Sequence, residues 1–157
     1  MSDFRMLVKD QLPRLIRYAA ALTRDADEAL DLAEDTVLEA LASEREQPSD
    51  TDLRIWLLTI LHDHRRNPFR RANPLADLSG PENNAAPLSL SELDRALGEL
   101  PEEQRAVLLL VGLEGMSEAE TATVMRMPIG AVRVRLARAR ENLYRTLGVT
   151  QDWRQAA

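Results

Sequence analysis

The sequence predicts an all-α protein built as two small helical domains joined by a flexible linker. Three observations predict it. Apolar residues recur at helical spacing over long stretches, as in Val132, Leu136, Ala139 and Leu143. Aromatic residues are only 4% of a chain that is 45% hydrophobic, so its core must be aliphatic. One segment, 73–90, breaks the periodicity with Pro74, Gly80, Pro81, Asn83, Asn84 and Pro87 and reads as a linker. It separates a domain over 1–72 from one over 91–148. The tail 149–157 is expected to fray apart from Trp153.

Each element has a local reason. A short amphipathic opening leads into a helix over Leu12–Leu22, with Pro13 tolerated near its start. Asp25 and Glu28 form a capping-box pattern for a second helix ending near Ser43, with Leu30, Ala33, Val37, Ala40 and Leu41 as its buried face. Pro48 helps break the chain over Glu44–Asp50. Asp50 or Asp52 caps a third helix with Leu53, Trp56, Leu57, Ile60 and Leu61 on its apolar side, and Pro68 ends or kinks it. Trp56 reads as core rather than as a base-stacking platform. After the linker, Ser89 and Glu92 cap a helix ending near Leu100, and Pro101 opens another with Val107, Leu108 and Val111 apolar. Ser117 and Glu120 form a third capping box, and Pro128 suits the first turn of the last helix. Arg133, Arg135, Arg138, Arg140 and Arg145 lie off that helix's apolar stripe. A short helix, a tight turn and an arginine-bearing helix are the plan of a helix-turn-helix reader of the major groove.

Charge bounds the function. The net charge is −6, which argues against a strongly basic, non-specific nucleic-acid binder. Residues 1–72 hold 11 basic and 14 acidic side chains, and residues 91–157 hold 9 and 10. Any DNA contact must therefore come from local clusters, with a weak, salt-sensitive electrostatic contribution. The absence of cysteine excludes disulfides and fits a reducing cytoplasm. No apolar run approaches a membrane span and no secretory signal opens the chain, so no membrane insertion is expected. Catalysis has little support. The glycines are scattered, and His62 and His64 lie two apart, facing different directions on a helix. No metal, cofactor or enzymatic activity is expected.

Two charged clusters stand out. His62, His64, Arg65, Arg66, Arg70 and Arg71 close the third helix. Complementarity with the helix dipole explains one or two of them, and a phosphate-binding surface explains six. Asp27, Glu28, Asp31, Glu34, Asp35 and Glu39 run along the second helix, and from Asp31 onward they lack i,i+4 basic partners, which suggests a basic partner protein.

The two halves together resemble the extracytoplasmic-function (ECF) sigma factors of the sigma-70 family. The stretch from Leu93 through Leu100-Pro101 and Arg105, then Glu114-Gly-Met-Ser117-Glu-Ala-Glu120, and on to Arg140 is similar to their region 4. Leu30-Asp-Leu-Ala-Glu-Asp-Thr-Val-Leu-Glu-Ala-Leu41 and Trp56-Leu-Leu-Thr-Ile60 are similar to their region 2. The resemblance covers residues 10–147. It implies a bacterial transcription initiation factor without cofactor. Asp31, Glu34 and Asp35 would dock on the β′ clamp of core RNA polymerase. The loop 43–52 and the helix 53–71, through Arg45, Arg54, His62, Arg65, Arg66 and Arg70, would capture and open the downstream promoter box. Region 4 would bind the β flap and read the upstream box with Ala131, Arg133, Val134, Arg135 and Arg138. An anti-sigma factor is an implied further partner. Ala131 and Val134 stand where the family has Thr and Ser, and Glu34 where it has Gln. These departures leave an alternative open: a sigma-factor mimic that sequesters an anti-sigma factor without binding DNA.

Overall fold

Side-chain caps set the starts of three helices in the computed structural model, which describes residues 2–46, 52–67 and 88–148. Eight α-helices occur among them: α1 (Ser2–Asp10), α2 (Leu12–Thr23), α3 (Ala26–Ala42), α4 (Leu53–Arg66), α5 (Leu88–Glu99), α6 (Glu102–Gly112), α7 (Glu118–Met125) and α8 (Ile129–Leu147). A 3-10 turn over Glu44–Glu46 follows α3. Pro13 occupies the first turn of α2. Asp25 accepts a hydrogen bond from the Glu28 amide at 2.9 Å, and Asp52 accepts one from the Arg54 amide at 2.8 Å. The Ser117–Glu120 capping box closes in both directions. Pro128 takes the position just before α8 rather than its first turn. Leu88 already belongs to α5, so the helix begins inside the segment read as linker, with Ser89 within it rather than ahead of it. Pro48, Pro68, Trp153 and the span 68–87 lie outside the described residues.

The helices form two bundles, α1–α4 and α5–α8, and the bundles share a core. In the first, α2 packs on α3 and α3 on α4; in the second, α6 and α7 pack on α8. Between them, α4 meets α7 and α2 meets α6. One apolar cluster runs from Val8, Tyr18, Leu22 and Leu61 through Val107, Leu110 and Val124 to Leu136. A smaller one, Ala96, Leu100 and Leu143, fixes α5 to α8.

Docking corrects two buried faces. On α3 the buried residues are Ala29, Leu32, Ala33, Thr36, Val37 and Ala40, while Leu30 is 45% exposed and Leu41 half-buried. The helix offers two overlapping apolar stripes. The one holding three alanines lets α2 and α4 approach closely, and Thr36 satisfies its hydroxyl on the Leu32 carbonyl at 2.8 Å. On α4, Leu57, Ile60 and Leu61 are buried as expected, joined by Ile55, Leu58 and His62. Leu53 and Trp56 are only half-buried. With α3 on one side and α7 on the other, α4 is covered nearly all round. Trp56 packs 6.1 Å from the Phe4 ring and acts as core.

Candidate nucleic-acid interface

The helix-turn-helix is α7, a left-handed turn at Arg126, and α8. The Ser117 box fixes the start of α7, and Pro128 sets the entry into α8. Val132, Leu136, Ala139 and Leu143 are all buried, as the spacing predicts. Burying that stripe turns the 133/134, 137/138 and 141 positions outward. Arg133 and Arg138 are exposed, and Val134 is 54% exposed. Ala131 and Arg135 are half-buried. Arg133 pairs with Glu118 at 3.0 Å, and Arg135 pairs with Glu103. Both pairs reach solvent, where such bridges contribute about 0–1 kcal/mol and yield readily to a phosphate. Arg138 and Arg140 form no ion pair among the described residues.

The basic cluster of the first bundle is used differently. His62 is 3% exposed, and its Nε2 lies 2.7 Å from the Tyr18 hydroxyl. Burial, seconded by Arg66, pushes its pKa down to about 4, and burial holds the Tyr18 phenol well above its ordinary value. The bond therefore joins a protonated phenol to a neutral ring. His62 belongs to the core, not to a DNA-facing surface; α7 covering the outer side of α4 is the reason. Arg65 forks onto Glu102 at 3.0 and 2.7 Å and reaches Glu28 at 3.2 Å. Glu28, expected on the acidic surface, is thus a buried bridge to α4. The bonds from Arg65 hold the Glu102 carboxyl below its usual range despite burial that pushes it up. Arg54 donates to the Glu114 carbonyl at 2.9 Å, and Arg66 to Asp63 at 2.6 Å. His64 stands 3.3 Å from Glu39. Arg45 is exposed on the 3-10 turn, while Arg70 and Arg71 lie outside the described residues.

Asp31, Glu34 and Asp35 are exposed on α3, together with Asp27 and Glu39, and the face also carries Leu30 and Leu38, the latter 65% exposed. The surface is mixed acidic and apolar rather than purely solvated.

One residue of the region 4 resemblance has a buried structural role that its sequence context does not reveal. Arg105 on α6 is 8% exposed and donates to the carbonyls of Leu97 (2.9 Å), Leu100 (2.9 Å), Gly98 (3.4 Å) and, across the seam, Leu22. It serves carbonyls at and just beyond the C-terminal ends of α5 and α2, where the helical ladder runs out of donors.

Fold and site define a protein of two docked helical bundles, the second ending in a helix-turn-helix. Residues 90–143 match the family model described as sigma-70, region 4, and residues 8–62 match that of the sigma2 domain of PhyR. The chain is similar to the ECF RNA polymerase sigma factor EcfG of Rhodopseudomonas palustris, 33% identical over 141 residues, 84% of this chain and 78% of that one. It is 35% identical over 144 residues to the ECF RNA polymerase sigma factor SigM of Mycobacterium tuberculosis, covering 88% of this chain and 72% of SigM. Among solved structures it is similar to the sigma factor RpoE in complex with the anti-sigma factor NepR from Bartonella quintana. That match has a TM-score of 0.78 and 28% identity, and it covers 96% of this chain and 100% of RpoE. The chain belongs to the ECF RNA polymerase sigma factor family. No helix among the described residues is long and apolar enough to cross a membrane.

Proposed function

We propose that this sigma factor directs core RNA polymerase to specific promoters and initiates transcription there, with no cofactor and no reaction of its own. The observation that carries the reading is α8: one face fully buried, the other presenting Arg133, Val134 and Arg138. A recognition helix inserts in this way, with arginines on phosphates and a small apolar side chain free to touch a thymine methyl. In this assignment residues 1–72 act as region 2 and 91–148 as region 4, joined through 73–90. Ala131, Arg133, Val134, Arg135 and Arg138 serve the upstream box. Arg45, Arg54, Arg65, Arg66 and Arg70 serve the downstream box, Arg54, Arg65 and Arg66 once Glu114, Glu102 and Asp63 release them.

Asp31, Glu34 and Asp35, flanked by Leu30 and Leu38, form the surface for the β′ clamp, and the second bundle meets the β flap. An anti-sigma factor is the further partner; the RpoE likeness, which spans nearly the whole chain, supports capture of the docked form. Asp31→Lys with Asp35→Lys is expected to weaken co-purification with core polymerase while leaving helicity intact. Unchanged core binding would count against the assignment.

A second reading, a mimic that sequesters an anti-sigma factor, is favoured by one finding: the match of residues 8–62 to the PhyR sigma2 domain. It predicts tight anti-sigma binding without promoter binding.

A further inference from the structure

Two residues other than glycine adopt a left-handed backbone among the described residues, and both are arginines that end a helix: Arg24 (φ 61°) after α2 and Arg126 (φ 53°) after α7. Glycine is the usual residue at that position, because a side chain there strains the backbone. Here each side chain crosses to the other bundle and grips an aspartate with both arms of its fork. Arg24 holds Asp94 at 2.9 and 2.9 Å, and Arg126 holds Asp63 at 2.7 and 2.8 Å. Gly98 makes room for the first pair; a Cβ there would stand 2.6 Å from the Arg24 Nε.

Asp63 differs from Asp94 in what else it holds. Its carboxylate also accepts from Arg66 at 2.6 Å, so it ties a cation of the first bundle to one in the turn of the helix-turn-helix. Burial pushes its pKa up, but the bonds from Arg126 and Arg66 outweigh that and hold the carboxyl below its ordinary range. An oxyanion gripped by two arginines, one of them in a bidentate fork, has the geometry of a bound phosphate. The site borders an open cleft of about 400 Å³ lined also by Glu39, His64 and Asn67. The Arg126 side chain is 61% exposed, so the pair is individually weak and can be displaced.

We propose that Asp63 is an internal stand-in for a DNA phosphate: by holding Arg66 and Arg126 together it latches the two bundles closed, and promoter DNA must displace it to use either arginine. The latch deepens the sigma-factor reading and rests on it. The second bundle also occupies Arg65, through Glu102, and Arg54, through the Glu114 carbonyl. In the closed form the cations of α4 are thus engaged before DNA arrives, and opening the seam is a condition of promoter contact.

The chain has no cysteine, so two can be introduced for dyes without interference. Lys9→Cys on α1 and Glu141→Cys on α8, both exposed positions, report the separation of the bundles in the full chain. Asp63→Lys is expected to lower energy transfer between the dyes. Asp63→Arg combined with Arg126→Glu, which restores the pair in reverse, is expected to bring it back. Asp63→Lys is also expected to raise the chain's affinity for promoter duplex by about fivefold more than Glu99→Lys, which makes the same charge change at an exposed site away from the latch. Unchanged transfer in Asp63→Lys, or a gain in affinity no greater than that of Glu99→Lys, overturns the latch. Loss of run-off transcription by the wild-type chain with core polymerase strikes instead at the sigma-factor reading, and leaves the dye experiment to judge the latch.

Discussion

α4 and α8 each carry five arginines or histidines, yet the fold uses the two sets in opposite ways. On α8 the apolar stripe is covered on one side, and the cations face outward or make weak pairs within their own bundle. On α4 both sides are covered. His62 is buried, Arg54 and Arg65 bond to the second bundle, and Arg66 shares Asp63 with it. In the docked form, therefore, a basic cluster in sequence becomes an open cationic surface only where the helix keeps one face free. When another element docks on that face, the same residues become its fasteners.

The comparison can be broken most severely at the seam. Arg105→Met removes the donor that serves carbonyls of Leu22, Leu97, Gly98 and Leu100, and strands those of Leu22 and Leu100, whose bonds are buried. Charge-assisted hydrogen bonds and the desolvation penalty together put the expected loss at about 3 kcal/mol in urea unfolding. A loss below about 1 kcal/mol would mean that water reaches those carbonyls.

Histidine protonation breaks the first bundle selectively. His62 titrates near 4 in the folded chain and near 6.5 when unfolded, so between those values the unfolded state binds more protons. The contribution of the neutral His62 ring is fully present above pH 6.5 and is lost as pH drops toward 4, by up to about 3 kcal/mol. Unfolding curves at pH 7, 5.5 and 4.5 read this directly. His62→Gln is expected to flatten the dependence, and an unchanged slope in that variant would assign it to other groups.

The helix-turn-helix is sharpened by a smaller change. Ser117→Ala removes one side of the capping box and is expected to cost about 1 kcal/mol, with no effect on the acid sensitivity. Smaller still for stability, Arg138→Ala is expected to lie within about 0.5 kcal/mol of wild type. If Arg138 contacts a phosphate, the same change lowers the salt slope of promoter binding by the holoenzyme by about one unit, uniformly across sequences.

What the sequence made legible follows the same division. The α8 stripe and the Ser117 box were readable because each depends on residues close in the chain and on burial of a single face. The α3 face was right at Ala33, Val37 and Ala40 and missed at Leu30, because exposed leucines compete with the alanine stripe and only the approach of α2 and α4 decides between them. Arg105, Glu28 and the Asp63–Arg126 pair were invisible for a different reason. Each has a partner tens of residues away, on another helix, and no local periodicity records a contact between distant helices. The expectation of two helical units holds, but it left open how closely they dock.

That this chain programs RNA polymerase is measured most directly by run-off transcription with purified core enzyme at a promoter mapped by transcript 5′ ends, with an anti-sigma binding assay in parallel. The expected result is a transcript that requires the chain, depends on its upstream box and weakens in Arg133→Ala and Arg138→Ala. No transcript from wild-type protein, together with tight binding to an anti-sigma factor, would contradict it and establish the mimic instead.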